Sequence, residues 1–211
     1  MVVAAIILAG GFGRRMGGHG PVTKVLAIVD GQPMIRRPVQ AALDSGLRPV
    51  IVVTGHTAPE VETAVAGLPI LIAHSTTPDE GMAASLRAGI AAVPADALGV
   101  AVLLGDMPGV TADHLGRLRE AFRAAPDAIV APTVDGRRGN PVLWPRSLFP
   151  ELLEVTGDVG GRDVLHRHAD RLVSVPMDGC SDAGRGVMED IDTAEDLDAW
   201  RAAWENPKGC G

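Results

Sequence analysis

The sequence predicts an α/β fold: a single domain built as a three-layer sandwich on a mostly parallel, doubly wound sheet. Three observations carry this. Short β-branched apolar runs alternate with helix-spaced stretches along the chain, a β-α-β rhythm that right-handed crossovers turn into a parallel sheet with helices on both faces. The chain has 211 residues, enough for one sizeable core. Its apolar share of 46% and charged share of 21% are those of a folded chain, not a disordered one.

The elements follow in order. Val2 to Leu8 is a continuous apolar run entering glycines, so it reads as a buried first strand. With no basic segment before it, it does not read as a signal peptide. Pro33 to Ser45 has helical spacing, with Pro33 suited to a first turn and Gly46 to a C-cap. Strands are expected at Pro49 to Thr54 and Pro69 to Ala73, with a helix from Ala58 to Ala66 between them. Gly81 to Val93 is a helix with Met82, Leu86, Ile90 and Val93 on one core-facing stripe. Gly99 to Leu104 is a buried strand ending in Gly105-Asp106, and Thr111 caps a helix that runs to Ala124. Ala128 to Thr133 and Asn140 to Trp144 read as strands joined by a charged turn. Helices at Leu148 to Val155 and Arg162 to His168, a strand at Leu172 to Val175 and a Thr193-capped helix to Trp204 complete the pattern. No repeat or linker divides the chain, so residues 1–204 form one domain and 205–211 a frayed tail.

Bulk properties exclude several roles. A net charge of -7 argues against a nucleic-acid partner, though one basic pocket can still hold a triphosphate. No stretch of eighteen apolar residues exists, so no membrane partner is expected. Two cysteines without metal spacing point to a reducing, cytoplasmic location, and the six histidines lack zinc spacing.

The loop after the first strand holds Gly10, Gly11, Gly13, Gly17, Gly18 and Gly20 together with Arg14, Arg15 and Lys24. Glycines let backbone N–H groups approach an anion, and the basic side chains supply charge. Lysine is otherwise scarce: Lys208 is the other one. The loop fails the P-loop pattern, because Lys24 is followed by Val25, and Pro21 blocks the helix that a dinucleotide fingerprint requires. Asp106, at a strand end beside Gly105, suits a divalent cation or a turn cap. In Glu189-Asp190-Ile191-Asp192-Thr193 an extended backbone puts Asp190 and Asp192 on one face; Asp192 also suits a helix cap.

The motif Leu8-Ala9-Gly10-Gly11, followed by Arg15-Met16-Gly17 and a lysine, resembles the signature of nucleotidyltransferases with a Rossmann-like fold. It is most similar to the branch that handles molybdopterin. Gly105-Asp106-Met107-Pro108 and Asp190-Ile191-Asp192-Thr193 are similar to that family's metal-binding and closing motifs. The resemblance implies a triphosphate cradled by Leu8, Ala9, Gly10, Gly11 and Gly13, with Arg15, Lys24 and Asp106 as catalytic residues. It implies Mg²⁺ on Asp106 and Asp192, with Asp190 a further candidate. Gly81 and Ser85, in a segment similar to that of cytidylyltransferases, are expected against the base. Asn140, Asp158, Gly160 and Arg162 are expected to receive the acceptor.

The implied reaction transfers a nucleoside monophosphate to the phosphate of molybdopterin, the molybdenum cofactor precursor, with release of pyrophosphate. Several motifs favour CTP; Gly10, where cytidylyltransferases usually carry alanine, favours GTP. The gap between Gly17 and Lys24 is longer than the family's. Two other readings stay open: a different small phosphate acceptor, and a non-catalytic carrier that delivers the cofactor to a client molybdoenzyme.

Overall fold

A computed structural model describes residues 1–10, 24–157, 160–178 and 186–205. The strands are β1 (Val3–Leu8), β2 (Ile28–Val29), β3 (Gln32–Pro33), β4 (Val50–Thr54), β5 (Leu71–His74), β6 (Gly99–Leu104), β7 (Ile129–Val134), β8 (Arg137–Arg138), β9 (Val142–Pro145) and β10 (Leu172–Pro176). The helices are α1 (Arg36–Asp44), α2 (Ala58–Ala64), α3 (Met82–Ala91), α4 (Ala112–Ala124), α5 (Phe149–Leu153), α6 (Arg162–Arg167) and α7 (Ala194–Glu205).

The main sheet runs β10-β7-β9-β6-β1-β4-β5, with β8 paired to β7. β9 is antiparallel to both neighbours, and β8 to β7; the other pairings are parallel. The α/β sandwich expected from the sequence is the observed fold. All six β1 residues are buried, as a central strand covered on both faces requires. Alternation divides them between two layers. Val3, Ala5 and Ile7 pack with Val39, Leu43, Leu115, Leu118 and Phe122 beneath α1 and α4. Ala4, Ile6 and Leu8 pack with Leu86, Ile90, Leu152 and Leu165 beneath α3, α5 and α6. Each fully buried branched aliphatic side chain contributes about 1.5–3 kcal/mol, so the two apolar layers hold the sheet.

A third cluster joins two segments far apart in the sequence. Val29 and Met34, on either side of the β2–β3 hairpin, pack with Ile191, Leu197 and Trp200. Arg201 donates 2.6 Å to the Ile28 carbonyl, and the Arg37 guanidinium lies 5.0 Å from the Trp200 ring centroid.

Three expectations need correction. Pro33 lies in β3 and the helix begins only at Arg36; Asp30 and Gly31, with φ of 49° and 75°, make the hairpin turn that displaces it. The charged turn after β7 contains a short strand, β8. Met82 is 40% exposed and does not join the core stripe formed by Leu86 and Ile90. At the first position of α3, it lies beside Gly160 instead. The Thr111 cap is as expected: its Oγ1 accepts from the His114 amide at 3.3 Å, and its own amide donates to His114 Nδ1 at 3.1 Å.

Candidate active site

Strand register brings the motifs together. β1 is flanked by β4 and β6, with Leu8 opposite Val53 and Leu104. The segments that leave these strands, Ala9-Gly10, Gly55 and Gly105-Asp106, therefore emerge side by side at the carboxyl end of the sheet, where doubly wound folds bind ligands. Ala9 donates 2.9 Å to the Val53 carbonyl and Gly105 donates 3.0 Å to the Leu8 carbonyl. Ser85, buried on α3, closes this floor. A Cβ on Gly10 would stand 2.5 Å from Ser85 Oγ and 3.6 Å from the Gly55 nitrogen. The glycine at position 10 is thus matched to this serine.

The acidic residues converge beside that floor. Asp106, Asp190 and Asp192 each offer a carboxylate oxygen, all within 4.8 Å of one another. Ile191 is 1% exposed and packs inward, leaving its two neighbours on the other side. The Ile191 amide donates 3.0 Å to the Asp106 carbonyl, which locks the closing segment to the loop after β6. Asp192 sits just before the cap of α7: the Thr193 amide donates 2.8 Å to Asp196, whose amide donates 3.1 Å back to Thr193 Oγ1. Thr193, not Asp192, is therefore the helix cap.

Lys24 opens a 3-10 turn, Lys24–Leu26, and its ammonium pairs with both predicted metal carboxylates. It meets Asp106 Oδ2 and lies 2.5 Å from Asp192 Oδ1. The longer loop before it does not carry it away from the site. Burial works against the charge on Lys24, but the attraction and hydrogen bond of Asp106, then those of Asp192, outweigh it and raise its pKa. Burial raises the pKa of Asp106; Lys24 pulls it down, and the like charge of Asp190 pushes it up. The lysine thus stays charged beside a carboxylate whose burial its charge does not fully offset.

The donor set fits a hard divalent cation. Three carboxylates offer oxygen ligands, and Asp106 Oδ1 is buried without a hydrogen-bond partner. A buried oxygen of that kind costs about 1–3 kcal/mol or more unless something binds it.

The remaining predicted residues line two walls. The Asn140 amide donates 2.9 Å to the Val187 carbonyl, so Asn140 lies against the segment that leads to Asp190. A Cβ on Gly139 would stand 2.2 Å from that same carbonyl oxygen. Opposite, Gly81 precedes α3, the Ala83 amide donates 3.0 Å to the Gly157 carbonyl, and the Cβ position of Gly160 lies 3.2 Å from Met82 Sδ. The base-side and one acceptor-side assignment thus meet at Met82. Arg162 is exposed at the start of α6, a helix of six residues. So short a helix supplies little dipole. Gly11, Gly13, Arg15 and Asp158 lie outside the described residues, as do Cys180 and residues 206–211.

Sequence reasoning passed over two features. Gly55 forms part of the floor beside Gly10; a glycine directly after a buried strand was the available signal. The clasp of the β2–β3 hairpin by α7, which sets Lys24 against Asp192, had no local signal because its partners are far apart in the chain.

Comparison with known proteins agrees with this fold. The chain is 36% identical over 135 residues to the bifunctional protein GlmU of Anaeromyxobacter sp. strain K, covering 63% of this chain and 27% of that protein. It therefore spans about 27% of the length of that curated relative. Among solved structures, Rv0371c from Mycobacterium tuberculosis H37Rv superposes with a TM-score of 0.81 at 25% identity, covering 95% of this chain and 98% of that one. Rv0371c has also been solved as a complex with manganese, with a TM-score of 0.76 at 24% identity, covering 96% of this chain and 100% of that one. A nucleotidyl transferase from Methanothermobacter thermautotroptrophicus superposes with a TM-score of 0.80 at 25% identity, covering 98% and 99%. Residues 5–172 match the MobA-like NTP transferase domain, and the chain belongs to that family.

Proposed function

We propose that the chain is a magnesium-dependent nucleotidyltransferase that moves a nucleoside monophosphate, CMP from CTP, onto the phosphate of molybdopterin. The observation that carries it is the convergence of Asp106, Asp190, Asp192 and Lys24 at the carboxyl end of β1 and β6. In the reaction an acceptor phosphate oxygen forms a bond to the α-phosphorus, the bond to the β,γ-diphosphate breaks, and pyrophosphate leaves. The attacking group is already an anion, so no strong general base is needed. The work is positioning and relief of charge repulsion. A divalent ion held by Asp106 and Asp192, with Asp190 at hand, would supply charge neutralisation and orient the phosphates. Lys24 adds a point charge at the same place, and Arg15 is proposed to add another.

The base rests against the floor of Gly10, Gly81 and Ser85 in this proposal, and the acceptor between Asn140 and the Gly160–Arg162 turn. One observation favours GTP as the alternative donor: position 10 has no room for the alanine usual in cytidylyltransferases while Ser85 keeps its place. Lys24 within the acidic cluster speaks against a non-catalytic carrier. No helix among the described residues is long and apolar enough to cross a membrane; a cytoplasmic site of action and a client molybdoenzyme are part of the proposal.

The test is pyrophosphate release by purified protein with Mg²⁺, molybdopterin and each triphosphate in turn. Release with CTP and not GTP is the expected result. Release with GTP alone transfers the assignment to the guanylyl branch. No release with any triphosphate removes molybdopterin as the acceptor and leaves a different small phosphate acceptor or the carrier reading.

A further inference from the structure

The acidic cluster already contains a cation. Lys24 Nζ pairs with Asp106 Oδ2 and Asp192 Oδ1, the same carboxylates that the proposed function assigns to a divalent ion. This inference rests on that reading. The lysine backbone is held: the Ile35 amide donates 2.9 Å to the Val25 carbonyl and the Ala27 amide donates 3.0 Å to the Lys24 carbonyl. Val25 itself is 4% exposed. The side chain is a flexible stem carrying a compact charge, and it is 21% exposed. A fixed base with a movable ammonium is suited to changing partners.

The ammonium and a divalent ion compete for one place. Both are positive, and three carboxylates within 4.8 Å define a single small pocket. Asp106 Oδ1 remains buried and unpartnered even with the lysine present, so the ammonium fills the pocket's need only in part. A triphosphate at the floor of Ala9 and Gly10, beside Gly105-Asp106 at the carboxyl end of β1 and β6, offers the lysine an alternative anion next to the cluster.

We propose that Lys24 is a resident counter-cation, which a bound triphosphate draws away from Asp106 and Asp192, freeing their oxygens for the metal. Triphosphate and metal then bind with a positive coupling that exceeds their direct contact, and by linkage each strengthens the other equally. Lys24 serves two anions in succession, and the resting protein is protected against metal occupancy without nucleotide.

The test is a Mn²⁺ titration of the full chain without nucleotide, read by electron paramagnetic resonance of free Mn²⁺. It compares the parent with Lys24→Met, Lys24→Gln and Asp106→Ala, each also melted with and without Mn²⁺. Removing the ammonium should tighten Mn²⁺ binding by about tenfold or more, from the loss of a like charge a few ångströms away. It should also enlarge the rise in Tm on adding Mn²⁺. With a non-hydrolysable CTP analogue bound, the advantage of the lysine variants should shrink. Equal or weaker Mn²⁺ binding by both lysine variants, with binding abolished in Asp106→Ala, overturns the counter-cation and leaves the metal assignment standing. Absence of Mn²⁺ binding in every protein overturns both. Should the lysine variants fail to fold, the parent decides: Mn²⁺ should speed the labelling of Lys24 by an amine reagent, measured on its peptide, and an unchanged rate overturns the proposal.

Discussion

The two ends of the sheet are finished in opposite ways. At the amino end, arginines close the structure on its own carbonyls. Arg48 donates to Leu43 and Leu47, Arg146 to Pro94 and Ala97, and Arg171 to Asp127 and to Ser147 Oγ. Each guanidinium satisfies acceptors where chain segments turn into or out of strands. At the carboxyl end the charges are left turned toward one another. A lysine stands among carboxylates, one buried carboxylate oxygen has no partner, and small residues keep the floor open. The difference shows that the same fold uses charge for closure at one end and holds it in readiness at the other.

Substitutions at each end should separate the two uses. The largest effect belongs to Asp106→Ala: turnover should fall by at least about 10³-fold, with the circular dichroism spectrum of the parent retained. Turnover within tenfold of the parent would remove Asp106 from the metal site. At the opposite end, Arg146→Ala strands the Ala97 carbonyl, while the Pro94 carbonyl keeps the Ala97 amide as donor, and should cost about 1–3 kcal/mol in denaturant unfolding, with kcat and KM of the folded protein unchanged. A changed kcat would break the division between the ends.

A Cβ at position 139 tests whether the acidic segment needs its place. Gly139→Ala sets that atom against the Val187 carbonyl and should displace the 186–191 segment. The expected cost is about 1–3 kcal/mol, with a loss of turnover that no direct contact with substrate explains. Gly10→Ala should disturb the floor less, because the nearest atom is the end of a small side chain. Its effect on nucleotide KM should diminish when combined with Ser85→Ala, as a double-mutant cycle would show. Additive effects would mean that the serine does not set the glycine.

The smallest effect lies near the amino end, at Glu151. Hydrogen bonds from Arg167 and His168 hold its carboxyl below the ordinary value. A depressed folded pKa means that this contribution is present above the usual carboxylate range and is lost as pH falls through the folded pKa. Glu151→Gln should therefore flatten the acid side of the Tm–pH profile slightly and leave the neutral side's slope unchanged.

The legible parts of the fold were those with local causes. β6 runs from Gly99 to Leu104 as read, because its apolar run is bounded by a proline- and glycine-containing segment and by Gly105-Asp106. The Thr111 cap was legible because a cap needs only a few residues. Asp106 and Asp192 were found through resemblance, and their convergence required the register of β1 with β6 and the docking of α7. The Asp30-Gly31 hairpin was in plain view as a turn signal, yet Pro33 suggested a helix start nearby. Met82 was misplaced because periodicity identifies a stripe and cannot tell which of its members the rest of the fold covers.

The contact between Lys24 and Asp192 joins residues 168 positions apart. During synthesis, β1, β4, β5, β6 and β9 can assemble the middle of the sheet long before Asp192 has been made. Leu197 and Trp200, which clasp the hairpin behind Lys24, arrive later still. A nascent chain can thus acquire its central layer and its glycine-lined floor while the acidic pair remains open. Competence is conferred by a segment translated well after the central sheet, so a chain stopped short of α7 would keep most of the fold without the means to hold its charge.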